Sequence, residues 1–299
     1  MHGEGRLPDF LVIGAAKSGT TTLYHYLRRH PGIFMSPVKE PCFFDPEVGG
    51  PRGVAWYRSL FAEARADQLC GEASTNYTRW PQVPGVAERI AALLPRVKLV
   101  YLMRHPVERA YAHYVHRYTK EVYPGRPFSQ SFEEFVESDP MCVDGSDYML
   151  QIEQYLRHFP RESFCFLLLE ELRADPASAL RKIHRFLGVD EMGELAGDPI
   201  SANDRESFHA LQTRPLVTGP LRRSSLVRKL AALGPQAWRD CAYALLRRTP
   251  QGRRVERSFV PAPMREETRR DLLARYRDSN RALERKLDLD LSLWEGKRS

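Results

Sequence analysis

Near its N-terminus the chain runs DFLVIG, then AAKSGTT, then TLYHYLRRH, and this order constrains the fold more than any other stretch. Residues 9–14 form a short apolar run with branched side chains, closed by Gly14, which is the pattern of a strand buried on both faces of a parallel sheet. Thr20 to Arg29 carries Leu23, Tyr26 and Leu27 at helical spacing, and Pro31 with Gly32 stops the helix. Strand, glycine turn and helix in that order open the phosphate-binding α/β folds.

The same alternation continues downstream. Strands are predicted at Gln68–Glu72, Val97–Met103 and Ser163–Leu169, and helices at Gly85–Leu94, Val107–Lys120, Tyr148–His158 and Pro176–Leu187, with Pro106 in a helical first turn. The expectation is a P-loop-like, three-layer α/β fold: a central parallel sheet flanked by helices, with a C-terminal helical region. No linker or repeat divides the chain, so one domain over residues 1–299 is expected, with a core at about 8–190 and a basic helical region at about 203–299. Helices are predicted there at Ser225–Leu233, Gln236–Arg248 and Glu266–Leu287.

Charge is regional. Arg214 to Arg270 holds fourteen basic and four acidic residues, while the whole chain is only +7, so the remainder is slightly acidic. This stretch reads either as a solvated helix face or as a contact for an anionic ligand or lipid surface. It includes WRDCAYALLRR, whose mixed apolar and cationic character fits peripheral membrane contact. No nucleic-acid recognition motif accompanies the charge, so nucleic acid is not an expected partner. Five widely spaced cysteines without a CxxC pair argue against a disulfide framework or a zinc site. With no long apolar span and no secretory signal pattern at the start, the expectation is a cytoplasmic protein.

The turn GAAKSGTT keeps both glycines of a GxxxxGK[ST] phosphate loop but places Thr20 at the usual lysine position and a lysine, Lys17, three residues earlier. Loop amides and the first helical turn still point at an anion, and the hydroxyls of Ser18, Thr20, Thr21 and Thr22 add donors beside Gly19. A lysine inside the turn lies beside the terminal phosphate of a short donor. No Walker B carboxylate stands at the end of YLMR, where Arg104 occupies the strand exit, so no metal is expected. Arg104 is placed to fork a second phosphate at the sheet's carboxyl edge, or else to pair with Glu108. Arg109 lies further along the following helix.

The pair PDFLVIGAAKSGTTTLYHYL and LMRHPVERAYAHY resembles the two donor-binding motifs of sulfotransferases that use 3′-phosphoadenosine 5′-phosphosulfate (PAPS). SPVKEPCFFD, the stretch from YLRHFPRESF to RFLGV, and the final DLDLSLW are similar to bacterial sulfotransferases and to the heparan sulfate amine and hydroxyl sulfotransferases. The resemblance implies sulfuryl transfer to a hydroxyl or amine of a carbohydrate, lipid or secondary-metabolite acceptor, releasing 3′,5′-bisphosphoadenosine (PAP). It implies that Lys17, Ser18, Gly19 and Thr20 to Thr22 hold the 5′-phosphosulfate and Arg104 the 3′-phosphate. The family's serine on that phosphate is Ala112 here. His113, Tyr111, or an arginine of the basic region such as Arg222 or Arg223, would have to compensate.

By the same resemblance Glu40 in KEPCFFD is the general base, desolvated beside Phe43 and Phe44, with Lys39 opposing that effect if it shares the pocket. Without that role Glu40 is a loop carboxylate paired with lysine. Asp45 and Glu72 match family positions near the acceptor and enter as substrate-binding candidates, although the lysine that follows the glutamate in some relatives is Ala73. His30 and His105 read as structural or solvent-facing, and Tyr148 as core packing. Two rival readings stand beside this one: a P-loop small-molecule kinase, disfavoured by Thr20 and by the missing metal carboxylate, and a nucleotide- or membrane-binding module carried by the basic region.

Overall fold

A computed structural model describes residues 5–122, 128–191 and 261–295. Five strands, β1 (Phe10–Gly14), β2 (Ile33–Met35), β3 (Leu69–Ala73), β4 (Lys98–Met103) and β5 (Phe164–Leu168), form one sheet in the order β2-β3-β1-β4-β5. Every pairing is parallel, with Phe10 opposite both Gly71 and Lys98, and Leu99 opposite Phe164. The chain therefore crosses over β1 between β3 and β4, which places the β1 and β4 exits side by side at the carboxyl edge, where open α/β sheets bind ligands.

Helices cover both faces because the strands are apolar on both faces. Phe10, Val12, Val100, Leu102, Cys165 and Leu167 pack under α1 (Thr20–Arg28) and α9 (Pro176–Leu187), with Leu172 of α8 (Leu169–Ala174). Leu11, Ile13, Leu99, Tyr101, Phe164 and Phe166 face α2 (Gly53–Ser59), α3 (Val86–Leu93) and α7 (Tyr148–Leu156). The C-terminal α10 (Glu266–Leu287) joins this second layer through Leu283 and Leu287, and the short α11 (Ser292–Glu295) adds Trp294. Side chains such as Leu11, Ile13 and Leu99 are fully buried, and each contributes about 1.5–3 kcal/mol.

Beyond the carboxyl edge a satellite core joins α4 (Pro106–Val122), α5 (Phe132–Ser138), α6 (Pro140–Asp144) and the start of α10, through Val107, Tyr114, Phe132, Phe135, Leu272 and Tyr276. The expected three-layer parallel α/β fold is what the chain adopts, and α10 has the expected bounds. Several elements were not foreseen: β2, α2, α5, α6 and α8. The β5 strand ends one residue early because Leu169 already begins α8. The expected helices Ser225–Leu233 and Gln236–Arg248, with most of the basic stretch, lie outside the described residues. Cys42, Cys70, Cys142 and Cys165 are buried free thiols. Among the described residues no helix is long and apolar enough to cross a membrane.

Candidate active site

The phosphate loop leaves β1 through Gly14 at φ 155°, where a Cβ would stand 2.3 Å from Thr78 Oγ1 and 2.8 Å from the Tyr101 ring. Glycine is therefore required at that exit. The loop enters α1 through Gly19, left-handed at φ 92°, and no side chain caps the first turn, which contains no acidic residue. Its N–H groups and positive dipole end are left to an external anion. Thr20 is buried and Thr21 and Thr22 are half-buried along this turn. Ser18 is fully buried, and its Oγ, close to the Tyr148 hydroxyl, makes no hydrogen bond of good geometry among the described residues.

Lys17 sits at the apex with φ 70°, a conformation that costs a non-glycine residue about 1–3 kcal/mol and persists only where its surroundings impose it. Burial, and next the Arg109 guanidinium, push its ammonium down to about 8, while Glu40 pulls it back up. A half-buried cation beside a second cation is an environment that favours a bound anion. One face of α4 adds to this pressure: His116, lowered to about 4 mainly by burial, and His113, lowered chiefly by burial, both feel the Lys17 charge, and Lys120 acts on Lys17 in turn.

Glu40 is left-handed as well, at φ 60°, followed closely by Cys42 at φ 51°. Its N–H donates to the Ala73 carbonyl at 3.0 Å, which hangs the loop on the end of β3. Its carboxylate accepts from the Thr75 N–H at 2.7 Å and from the Thr75 hydroxyl at 3.3 Å, and pairs with Lys39 Nζ at 2.6 Å. Glu40 is thus both close enough to Lys17 to act on its charge and paired with the neighbouring lysine.

The apolar pocket expected around Glu40 lies elsewhere. Phe43 stacks on Tyr57 at 4.2 Å and Phe44 meets Tyr77 at 5.5 Å, both inside the core, and the carboxyl that those tyrosines hydrogen-bond is Glu72. Glu72 is fully buried and accepts from Tyr77 at 2.6 Å, Tyr57 at 3.1 Å and Ser74 at 2.8 Å. Burial pushes it up to about 7 against the pull of those donors, and the Glu40 charge adds to the rise. Ser74 in turn accepts from the Cys42 N–H at 3.0 Å, linking Glu72 to the loop that carries Glu40.

Asp45 is also buried, and its oxygens take the Glu47 and Val48 N–H groups and the Asn76 amide. Asp45 and Glu72, the two substrate-binding candidates, thus both lie buried with their carboxylates accepting from internal donors.

At the β4 exit Arg104 reaches across to the loop, Nη1 donating to the Lys17 carbonyl at 3.5 Å, while Nη2 lies 3.8 Å from Glu108. Of the two readings of Arg104, the ion pair with Glu108 is therefore present alongside a contact to the phosphate loop that was not foreseen. The Tyr148 hydroxyl clamps this residue's backbone, donating to its carbonyl at 2.6 Å and accepting from its N–H at 3.2 Å. Ala112 is half-buried on α4. Of the groups considered as replacements for its missing hydroxyl, Tyr111 donates to the Ala262 carbonyl at 3.0 Å, His113 turns to Asp139 at 3.7 Å, and Arg222 and Arg223 lie outside the described residues.

Sequence reasoning missed the importance of Arg109. It is fully buried, Nε donating to the Ala16 carbonyl at 3.0 Å and Nη1 to the Met141 and Cys142 carbonyls at 3.0 and 3.1 Å. One guanidinium thus fixes the phosphate loop against α6, and its Nη2 has no partner among the described residues. A five-residue offset from Arg104 gave no sign of this, because the acceptors come from a helix thirty residues away.

Two loop residues in left-handed conformations, Lys17 after β1 and Glu40 hung on the end of β3, and an arginine that ties the phosphate loop to α6 thus gather at the carboxyl edge of a P-loop-like sheet. A sulfotransferase domain profile matches residues 7–218. The chain belongs to the sulfotransferase domain family. It is 32% identical over 197 residues to mouse heparan sulfate glucosamine 3-O-sulfotransferase 3A1, covering 63% of this chain and 47% of that protein. It is also 32% identical over 202 residues to human bifunctional heparan sulfate N-deacetylase/N-sulfotransferase 3, covering 62% of this chain and 22% of that protein. The chain thus spans about half or less of the length of these relatives. The crystal structure of a sulfotransferase from Alicyclobacillus acidocaldarius superposes with a TM-score of 0.64 at 25% identity, covering 97% of this chain and 99% of that one.

Proposed function

We propose that this chain transfers the sulfuryl group of PAPS to a hydroxyl or amine acceptor, with Glu40 as general base and Lys17 neutralising the leaving phosphate. The observation that carries this reading is the placement of Lys17 and Glu40, both in left-handed backbone conformations, at the ends of the neighbouring strands β1 and β3. The uncapped first turn of α1 supports a 5′-phosphosulfate site there, and Arg104, beside the Lys17 carbonyl, supports a second phosphate site next to it.

Glu40 takes the acceptor's proton as the acceptor oxygen or nitrogen bonds to sulfur. The bond between sulfur and the bridging oxygen breaks in line, and its electron pair stays on the 5′-phosphate of PAP. Lys17 and the loop amides stabilise the charge arriving there. Lys39 holds the Glu40 carboxylate through their ion pair and yields it to the acceptor's proton.

The relatives named for heparan sulfate glucosamine make a carbohydrate the first acceptor class to try, with lipid and secondary-metabolite hydroxyls next. Labelled donor offered to each class identifies the acceptor. Glu40→Gln abolishes turnover while PAP affinity is retained, and full activity in that variant ends the base assignment.

A further inference from the structure

Ala112 leaves a vacancy on the motif that follows β4, and the structure offers a candidate to fill it from the other end of the chain. Glu108 lies one helical turn before Ala112, on the same side of α4. Two guanidinium groups converge on its carboxylate: Arg104 Nη2, 3.8 Å from Oε2, and Arg269 Nη2, which hydrogen-bonds Oε1. All three side chains are partly open, at 21%, 32% and 33% exposure for Arg104, Arg269 and Glu108.

Arg269 is firmly placed. Its turn of α10 is pinned to Glu133 of α5 by the Arg265 N–H at 3.2 Å and the Thr268 hydroxyl at 3.0 Å. Leu272 and Tyr276, further along the helix, are buried in the satellite core. Between them, Arg104 and His105 feel the charges of Arg173, Arg269, Glu108 and Glu170. One carboxylate shared between two forks satisfies neither guanidinium fully, and a phosphate, with more oxygens and more charge, satisfies both.

We infer that Arg269 joins Arg104 in binding the nucleotide's second phosphate, supplying from α10 the contact that Ala112 does not make, with Glu108 occupying both arginines until the phosphate displaces it. This rests on the sulfuryl-transfer reading and adds a residue outside both donor motifs. It makes α10 part of the recognition of 3′-phosphorylated nucleotides, and not merely a brace.

The test is calorimetry with PAP and with 5′-AMP, which differ only in the 3′-phosphate. Arg269→Gln weakens PAP binding by about ten- to a hundredfold, the loss expected for one charge-assisted contact, and leaves 5′-AMP binding unchanged. Glu108→Gln, which keeps both arginines and removes their competitor, strengthens PAP binding and leaves 5′-AMP unchanged. An Arg269→Gln variant that loses both nucleotides equally, or keeps its full preference for PAP, overturns the inference. So does a Glu108→Gln variant that binds PAP more weakly, an arm that stands even if Arg269→Gln does not fold. Wild-type protein that binds neither nucleotide refutes the sulfuryl-transfer reading, and the inference with it.

Discussion

Replacing Lys17 with Met makes the free protein more stable at neutral pH while removing the nucleotide site. The ammonium is lowered from 10.5 to about 8, mainly by burial and then by Arg109. That difference, at 1.36 kcal/mol per pH unit, sets an upper bound of about 3 kcal/mol on the cost of keeping the charge in the free protein, and partial exposure trims it to about 1–3 kcal/mol. The sign follows from the lowered value: the folded state resists protonation, so the cost is complete below pH 8, declines between pH 8 and 10.5, and vanishes above. Methionine has a similar stem and no charge, and it inherits the same positive φ, so backbone strain cancels in the comparison. Urea melts at pH 7, 9 and 10.5 check this, with the advantage of Lys17→Met largest at pH 7 and gone at pH 10.5. A variant less stable than wild type at pH 7, or an advantage independent of pH, refutes the claim that Lys17 is held as a strained cation for an anionic partner.

Glu72 shows the opposite sign. Its carboxyl is raised from 4.5 to about 7, so its contribution to stability is complete below pH 4.5 and is lost as pH rises through 7. Glu72→Gln flattens the stability profile across that window, measured by thermal melts between pH 4 and 8, and an unchanged slope contradicts the placement. Arg109→Met strands the Ala16, Met141 and Cys142 carbonyls and costs about 2–4 kcal/mol in urea melts. PAP affinity falls with it, because the phosphate loop loses its tie to α6. A loss below about 0.5 kcal/mol would show that the guanidinium is not the anchor it resembles.

What could be read in advance depended on whether the decisive contacts were local. Strands β1, β4 and β5 are apolar on both faces, and such runs announce a buried parallel sheet. β2 has three residues between Pro31-Gly32 and Ser36-Pro37, too few for a period, and is a strand only because Leu69 to Gly71 pairs with it. Helix α2 begins on a glycine and buries only Tyr57, so no helical stripe appears in its sequence.

The glycine turn was legible because backbone geometry dictates its glycines, and the lysine because it falls inside that turn. Glu40 entered as a candidate only through resemblance. The aromatic pair beside it misled: Phe43 and Phe44 are adjacent in sequence but turn into the core, and the carboxyl they help to bury is Glu72, thirty-two residues from Glu40. Arg109 and Arg269 were hidden for a shared reason. An arginine in a helix resembles a solvated one until its acceptors, brought by another helix, are known.

The account stands most directly on calorimetric titration of PAP into the wild-type protein at pH 7. It predicts saturable one-to-one binding that weakens by about tenfold per unit as pH rises above 8, where Lys17 loses its proton. Folded protein that takes up no PAP, or binds it with an affinity indifferent to pH across that range, contradicts the assignment of the phosphate loop.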